Sequence, residues 1–460
     1  MLPDLLGAYK AGFKDHTELR AQVNTTRQVT LMAGNMVANT QKSEGGVSAR
    51  VYRGGTFGFA SAAEYSDDSV KNVLAAATGN AAFMDVHVCK GQPPLPGVSP
   101  GDFGLAVAPG EDIPQSALID YINTLDGLVT AKYKNLSSRT IVAHCTDIEK
   151  LMVVSDGANA RFYQPRSLVF VVMAAETNDG IPVDLFHMFG GFGGFNTVFH
   201  DPSLLTAGLD EMYESLMHKR EGVYANAGPV KCILGPEVSG TLAHEAVGHT
   251  VEADIVLGGS VAAHSLGKQV ASPLVTMIDF AHTAFGKPCP LPVFVDDEGV
   301  IAEDALLIED GVLKNYMHSR ETARRFGVRP QGNARGFLFS DEPLIRMRNT
   351  AILPGTSKLD DMIASIDDGY YLVKTSNGQA DTTGEFMFAV SMGYEIKNGK
   401  LGKAIFDTTI SGVAFEMLKT VDMVSDDMYW ECGGYCGKKQ PMTVSMGGPA
   451  VRCDVNIGGR

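Results

Sequence analysis

The segment SGTLAHEAVGHTVEAD, residues 239 to 254, brings together side chains that could bind a metal ion and transfer protons. His244 and His249 offer imidazole nitrogens, which are common metal ligands, and Glu245 offers a carboxylate for general acid/base chemistry. An ordinary core helix that contains two histidines by chance is the competing interpretation, because short motifs carry a real false-positive risk. The two interpretations place different demands on the geometry of the helix.

The spacing of the two histidines is wrong for a shared metal ion in a regular helix. In helices of the His-Glu-x-x-His type the histidines are four positions apart, roughly 40° around the axis, so both reach one ion. Here they are five positions apart, which is roughly 140° in a regular helix. A π-type turn absorbs one extra residue, so shared ligation predicts such a deformation, and we expect it near Gly248.

A third ligand has to come from another part of the sequence. A catalytic zinc site uses three protein ligands plus water, and zinc accepts thiolates readily. Cys436 lies in the glycine-flanked segment ECGGYCGKKQP, where the backbone could approach a metal closely. No residue pattern alone selects this thiol, and Cys432 and Cys453 are interpreted as small buried hydrophobic residues. The candidates nearer the histidines are Glu252, Asp254 and His264.

The composition indicates a globular protein with a large core. The chain has 460 residues, of which 45% are hydrophobic and 20% charged, so we expect two domains or one domain with a large sheet. A net charge of -15 disfavours direct nucleic-acid binding, which needs basic patches. The sequence has neither a signal-peptide pattern nor an apolar run of about 18 residues. We therefore predict a cytoplasmic protein without a membrane partner, whose cysteines are reduced.

Strand and helix signals alternate in blocks along the first half of the chain. β-Branched and aromatic residues broken by glycine pairs predict hairpin strands over 26–60. The turn signal Asp156-Gly157 predicts long antiparallel strands over 138–176, and the Gly/Phe-rich residues 188–195 are interpreted as a loop. Three helices are expected, which begin after Ser66, near Pro114 and after Asp201.

The second half of the chain is predicted to contain mostly strands and turns around the histidine-bearing helix. We place the boundary within 219–228, and short helices are expected over 319–326 and 357–367. The predicted fold class is α+β. An N-terminal α/β domain with a large, mostly antiparallel sheet covers 1–222, and a C-terminal β-rich domain that carries the HExxxH helix covers 223–460.

Several motifs of the sequence together resemble those of a known family. The segment LAHEAVGHTVEAD is similar to the HExxxH signature of the TldD branch of the TldD/PmbA family, which contains zinc metallopeptidases. The similarity extends over nearly the whole chain, through GVSARVYRGGTFGFAS, LIEDGVLKNYMHSRETAR and GQADTTGEFMFAVSMGYEIKNGKL. The ending GYCGKKQPMTVSMGGPAVRCDVNIGG resembles the C-terminal cysteine segment of the family.

The resemblance implies a role for each residue of the candidate site. It identifies His244, His249 and Cys436 as ligands of a Zn²⁺ cofactor and Glu245 as the general acid/base. The implied function is hydrolysis of peptide bonds in unfolded or flexible peptides by a zinc metallopeptidase. The alternative is a non-catalytic peptide-binding or partner-regulating scaffold, whose zinc ion is structural and closed by a fourth protein ligand.

The resemblance also implies partners. Family members form dimers, so we expect a homodimer or a heterodimer with a TldE/PmbA-like chain. Some members are described as modulators of DNA gyrase that act through peptide processing, in keeping with the acidic charge of this chain. Extended peptides could bind by strand addition, with Asn377 to Gly384 as a candidate lining segment. The stretch ADIVLGGSVAAHSLGKQVAS departs from the Arg-rich, Phe-containing stretch of the family, so substrate preference is expected to differ.

Overall fold

Long antiparallel strands form a seven-stranded sheet in the first half of the chain. The computed structural model describes residues 2–88, 94–99, 101–105 and 113–459. The strands of this first sheet are β1 (His16–Met32), β2 (Asn35–Arg53), β3 (Thr56–Ala62), β4 (Gly101–Leu105), β5 (Ser138–Val154), β6 (Ala158–Glu176) and β7 (Pro182–Phe192). They pair in the order β3-β2-β1-β5-β6-β4, and β7 pairs with the other end of β6. Only the β4–β6 pair is parallel among these described strands.

Helices cover one face of the first sheet. They are α1 (Asp67–His87), α2 (Gln115–Lys132), α3 (Phe195–Val198) and α4 (Thr206–Arg220), with 3-10 turns at Leu6–Gly12 and Pro202–Leu205. Ser66 caps α1 by accepting a hydrogen bond from the Ser69 amide, and Asp201 caps the turn that leads into α4. The alternating apolar residues of the strands pack under these helices, for example Leu19 against α1 and Val29 against α2.

The second half of the chain contains many short strands and a few short helices. The helices are α5 (Pro236–Thr241), α6 (Ala253–Leu257), α7 (Arg320–Phe326), α8 (Leu359–Ala364) and α9 (Ala414–Lys419). The strands up to residue 352 are β8 (Gly228–Leu234), β9 (Met277–Phe280), β10 (Thr283–Ala284), β11 (Lys287–Pro288), β12 (Ala305–Glu309), β13 (Val312–Leu313), β14 (Ala334–Arg335), β15 (Leu344–Ile345) and β16 (Asn349–Ile352). The remaining strands are β17 (Asp368–Ala380), β18 (Glu385–Lys397), β19 (Lys400–Ile405), β20 (Thr408–Val413), β21 (Met423–Val424), β22 (Tyr429–Glu431), β23 (Tyr435–Cys436), β24 (Met442–Thr443), β25 (Ser445–Gly448) and β26 (Val451–Ile457).

Two larger sheets organise these strands. One pairs in the order β17-β8-β26-β20-β18-β19, and because β17 also pairs with β18, the pairing closes in a ring. The other has the order β13-β12-β9-β16-β25-β22. A large apolar cluster lies between them and takes in Leu242, Ala243, Ala246 and Val247 of the histidine segment. The histidine segment is therefore anchored by its apolar side in the core of the second half.

The polar face of the first sheet packs on the second half through buried ion pairs. Arg50 contacts Glu18 on the neighbouring strand at 2.7 Å and Glu298 of the second half at 2.5 Å. Arg20 contacts Asp297 at 2.8 Å, and Lys150 contacts the same carboxylate at 2.8 Å. These side chains are almost fully buried, so paired charges hold this part of the contact between the two halves, beside an apolar cluster that contains Val154 and Val295.

The predicted α+β class is confirmed, and one local prediction is wrong. Residues 188–192 continue β7 opposite β6 and do not form a loop. Gly190 has a φ of 116°, and a Cβ at this position would lie 2.1 Å from the Ser167 carbonyl oxygen. Glycine therefore permits close strand pairing here. In the described part of the chain, no helix combines the length and apolar character needed to span a membrane.

Candidate metal centre

The helix that carries both histidines changes its winding at the motif. The α-helix α5 runs into a π-helix over Leu242–Gly248, which is followed by a 3-10 turn over His249–Val251. The backbone amide of His249 donates to the carbonyl of His244, which is the i→i+5 bond of a π-turn. The extra residue between the histidines is absorbed in this way, and the predicted deformation is confirmed.

Gly248 is needed for space and not for backbone freedom. Its φ of -54° and ψ of -48° are ordinary helical values that any residue adopts. A Cβ at this position would lie 2.0 Å from the Sδ of Met347, which is itself buried. The expectation that Gly248 lies at the deformation is confirmed, but the physical reason is the close approach of Met347.

The three predicted metal ligands come together around one point. The donor atoms of His244, His249 and Cys436 all lie within 4.8 Å of one another. The two imidazole rings are 5.2 Å apart and nearly perpendicular, at 81°. The Sγ of Cys436 lies 3.2 Å from the Nε2 of His249. Zinc bonds of about 2.0–2.3 Å to nitrogen and sulfur are compatible with donor separations of this size.

The environment of His244 fits a metal ligand. The residue is fully buried, and neither ring nitrogen has a hydrogen-bond partner. A buried polar atom without a partner is unfavourable, so a bound ligand such as a metal ion would stabilise this imidazole. Burial, followed by the neighbouring His249, lowers the pKa of His244 well below its ordinary value. The ring is therefore neutral, which is the form that coordinates a metal.

A buried carboxylate orients the second histidine. The Oε2 of Glu252 lies 3.0 Å from the Nδ1 of His249, which leaves Nε2 directed at Cys436. Burial disfavours the charged imidazole, but Glu252 and then Cys436 outweigh it and raise the pKa of His249 to about 10. A metal ion bound at Nε2 would take the place of the proton there. Lys438 in turn lies 3.1 Å from Glu252 and contributes a compensating charge. A carboxylate behind a metal-binding imidazole is the usual arrangement that fixes its tautomer.

Glu245 lies beside the donor group without joining it. Its carboxylate is 3.8 Å from the Nε2 of His249, and 24% of its side chain is exposed. Burial raises the pKa of this carboxyl, although His249 opposes the shift. A carboxylate at the open side of the site is placed to exchange protons with a water molecule or a substrate.

The other candidate ligands lie outside the donor group, including His264 at the end of the 3-10 turn Val261–His264. Asp254 pairs with Lys438 at 2.7 Å, and the thiol of Cys432 donates to the Gly190 carbonyl. Cys453 is fully buried in β26 opposite Cys232, as a small core residue should be. Over residues 2–88, 94–99, 101–105 and 113–459, no fourth His, Cys, Asp or Glu joins the three donors.

Sequence reasoning missed the arginines that surround the site. Arg346 is fully buried and donates to the carbonyl of Cys436 at 2.8 Å. Arg335 donates to the carbonyl of Met347, the residue whose side chain packs on Gly248. Both arginines lower the pKa of His244. Nothing in the spacing of these arginines distinguishes them from surface residues, and only their apolar and glycine-rich context hints at burial.

The chain matches two domain models of one metallopeptidase family and several relatives that are named metalloproteases. Residues 227–459 match the PmbA/TldA metallopeptidase C-terminal domain, and residues 17–81 match the PmbA/TldA metallopeptidase domain 1. The chain is 30% identical to a metalloprotease of Methanothermobacter thermautotrophicus over 98% of its own length and 97% of the relative. It is 32% identical to a zinc metalloprotease TldD homologue of Saccharolobus solfataricus over 67% of this chain and 66% of the relative.

Solved structures share the fold at low sequence identity. TldE from Thermococcus kodakarensis matches with a TM-score of 0.78 and 17% identity, over 99% of both chains. A putative modulator of DNA gyrase from Thermotoga maritima matches with a TM-score of 0.74 and 19% identity, over 99% of this chain and 97% of the other. The sequence matches and the shared fold together establish that this chain belongs to the TldD/PmbA family of metallopeptidases.

Proposed function

We propose that the chain is a zinc-dependent peptidase that hydrolyses peptide bonds of unfolded or flexible peptides. The observation that carries the proposal is the convergence of His244, His249 and Cys436, with the half-buried Glu245 beside them. Three protein donors and a neighbouring carboxylate are the composition of a catalytic zinc site. The names of the relatives, metalloprotease and zinc metalloprotease, support the same reaction and metal.

The metal donors, Glu245 and Glu252 have separate roles in peptide hydrolysis. A zinc ion held by the three donors would supply Lewis acidity and lower the pKa of a water molecule to about 7. Glu245 takes a proton from the attacking water and delivers it to the nitrogen of the leaving amine. Burial raises the pKa of Glu245 above the ordinary carboxyl value, which favours its second role as a proton donor. Glu252 holds the imidazole of His249 in one orientation throughout.

The alternative is a peptide-binding scaffold with a structural zinc ion. Such a site needs four protein ligands, and Asp254 or Cys432, for instance, would have to supply the fourth. Asp254 contacts Lys438, and Cys432 contacts the Gly190 carbonyl on β7. Because both side chains have other partners, the contacts of the described residues favour an open fourth position and hence the enzyme.

We extend the proposal to the substrate, the partner and the location of the protein. We propose an extended peptide substrate, a homodimer or a heterodimer with a TldE/PmbA-like chain, and a cytoplasmic location. The structural likeness to TldE is in keeping with such an assembly. The segment from Asn377 to Gly384 forms the end of the β17–β18 hairpin, and its role in lining the site stays a prediction. The division into 1–222 and 223–460 also stays a prediction.

One pair of variants tests the reaction. Glu245→Ala should keep the zinc content of the wild type and lose cleavage of an unstructured peptide by about 10²- to 10⁴-fold, the usual contribution of a general acid/base. Glu237→Gln, which removes a half-buried carboxylate earlier in the same helix, is the matched control and should cleave normally. Equal cleavage by wild type and Glu245→Ala would exclude Glu245 as the base. Wild-type protein that binds zinc but cleaves no peptide would favour the scaffold.

A further inference from the structure

The segment that delivers the thiolate ligand is held by its backbone carbonyls. Residues 432–440 include β23 and the turn that leads to β24, and Cys436 lies in the middle of them. The carbonyl oxygens of every second residue in this segment accept hydrogen bonds from two buried guanidinium groups. These oxygens belong to Cys432, Gly434, Cys436, Lys438 and Gln440.

Arg346 fills the inside of the turn. Its Nη1 donates to the carbonyl of Lys438 at 2.8 Å and to that of Gln440 at 2.9 Å. Its Nη2 donates to the carbonyl of Cys436 at 2.8 Å. The side chain is fully buried, so these three bonds are made away from competing water.

Arg166 holds the other end of the segment from the first sheet. Its Nε donates to the carbonyl of Cys432 at 3.1 Å, and its Nη2 donates to the same oxygen and, at 3.4 Å, to that of Gly434. The guanidinium also lies 5.1 Å from the ring centre of Tyr435, the neighbour of Cys436. Since Arg166 belongs to β6, the first half of the chain reaches the metal segment directly.

The chemistry of arginine suits the binding of several backbone carbonyls at once. Both guanidinium groups donate hydrogen bonds to the carbonyls of the segment. The nearby carboxylates Glu431 and Glu252 interact with Arg166 and Arg346 through charge, so the carbonyls supply the acceptors for buried N–H groups. A guanidinium has five N–H donors in a rigid plane and can bond several carbonyls at once, whereas an ammonium is a point charge on a flexible stem. Moving the segment away would leave both cations buried without these acceptors.

We propose that Arg346 and Arg166 are positioning residues that hold residues 432–440 so that the Sγ of Cys436 stays within reach of the two histidines. The proposal rests on the zinc function proposed above, because it concerns the same site. Neither arginine is assigned a contact with substrate. Both arginines act on the position of Cys436, the third ligand. Through Arg166, the first sheet contributes to that position.

Arg346→Lys, compared with Arg348→Lys, tests the first positioning residue. Arg348 is equally buried and two residues away, but its guanidinium contacts Asp279, Glu303 and the 331–332 carbonyls, and none in 432–440. We expect Arg346→Lys to lower zinc affinity about 10- to 100-fold, as changes behind a metal ligand commonly do. In the Co²⁺-substituted protein it should weaken the thiolate-to-metal charge-transfer band. Arg348→Lys should leave the affinity within about 3-fold and the band unchanged, even if it lowers the melting temperature.

Arg166→Lys should shift affinity and band in the same direction as Arg346→Lys. Wild-type affinity and an unchanged band in Arg346→Lys would overturn the proposal, as would an equal loss in Arg348→Lys. Amide hydrogen exchange of 432–440 in chelator-treated full-length protein gives a readout that does not need zinc. Faster exchange in Arg346→Lys than in Arg348→Lys supports the positioning role even if the wild type binds no zinc, an outcome that would defeat only the proposed function. Equal exchange in both would count against the positioning role itself.

Discussion

The Sγ of Cys436 lies 3.2 Å from the Nε2 of His249, although 187 positions separate the two residues in the chain. The contact joins the π-helix in the core of the second half to the C-terminal segment that follows β22. The donor group therefore exists only when both parts are folded and docked. Metal binding and folding of this region should be coupled for the same reason.

Cys436→Ser tests the identity of the third ligand. Losing a direct ligand should reduce zinc affinity by more than about 100-fold, since even changes behind a ligand reduce it 10- to 100-fold. Cys432→Ser is the matched control, because its thiol contacts the Gly190 carbonyl and not the donor group. Competition with a chromophoric chelator measures both affinities. A loss of zinc in Cys432→Ser and not in Cys436→Ser would show that Cys432, and not Cys436, is the third ligand.

Gly248→Ala tests the steric origin of the π-helix. The added methyl would overlap the Sδ of Met347, so the variant should lose about 1–3 kcal/mol of unfolding free energy, the usual effect of overpacking. The histidine spacing should be disturbed as well, with weaker zinc binding. The double variant Gly248→Ala/Met347→Ala should recover part of the affinity because the space is returned. Denaturant unfolding measures the first effect and zinc titration the second. Unchanged stability and zinc affinity in Gly248→Ala would refute the steric role of Gly248.

Glu252→Gln tests the carboxylate behind His249. The amide keeps the shape of the side chain but removes the charge that Glu252 presents to Nδ1, so we expect zinc affinity to fall about 10- to 100-fold. Asp254→Asn is the control, since that carboxylate contacts Lys438 and lies outside the donor group. Isothermal titration with zinc distinguishes them. Equal affinities for Glu252→Gln and the wild type would show that the tautomer of His249 is fixed by other means.

The buried ion pairs of Arg50, where the first sheet contacts the second half, predict an acid-sensitive stability. Burial favours the neutral form of Glu18, but Arg50 and then His16 outweigh it and lower the pKa of this carboxyl to about 2. The unfolded value is about 4.3, so the folded value is the lower one. The stabilisation is therefore complete above the unfolded pKa and is lost as the pH falls from about 5 towards 2.

Glu18→Gln isolates that contribution. The variant should be about 3 kcal/mol less stable at pH 7, because Arg50 keeps Glu298 but loses one of its buried partners. Its stability should also fall less steeply than that of the wild type between pH 5 and pH 3. Urea unfolding at several pH values measures the difference between the two proteins. Parallel curves for both would mean that Glu18 titrates normally in the folded state.

The winding of the histidine helix could be predicted because it follows from arithmetic. Five positions on a regular helix separate His244 and His249 by roughly 140°, so a shared ion required an extra residue to be absorbed. The structure has the π-turn at that place. The reason for Gly248 could not be predicted, because Met347 approaches it from almost a hundred positions away and no local pattern records that contact.

Other features depend on contacts that leave no trace in sequence periodicity. Cys436 was selected by family resemblance, while its spacing from the histidines left other cysteines open. Arg346 and Arg166 act on backbone carbonyls, which every residue has. The residues 188–192 contain the glycines of a loop, yet pairing with β6 makes them a strand, because tertiary contacts override local propensity.

X-ray absorption at the zinc edge of the purified wild-type protein tests whether the three donors hold a zinc ion with an open fourth position. We predict one zinc ion per chain, coordinated by one sulfur from Cys436, two imidazole nitrogens from His244 and His249, and one light atom that is not a protein ligand. The Cys436→Ser variant should lose the sulfur contribution. A zinc ion enclosed by four protein donors, or a wild-type spectrum without sulfur, would contradict the open three-donor site.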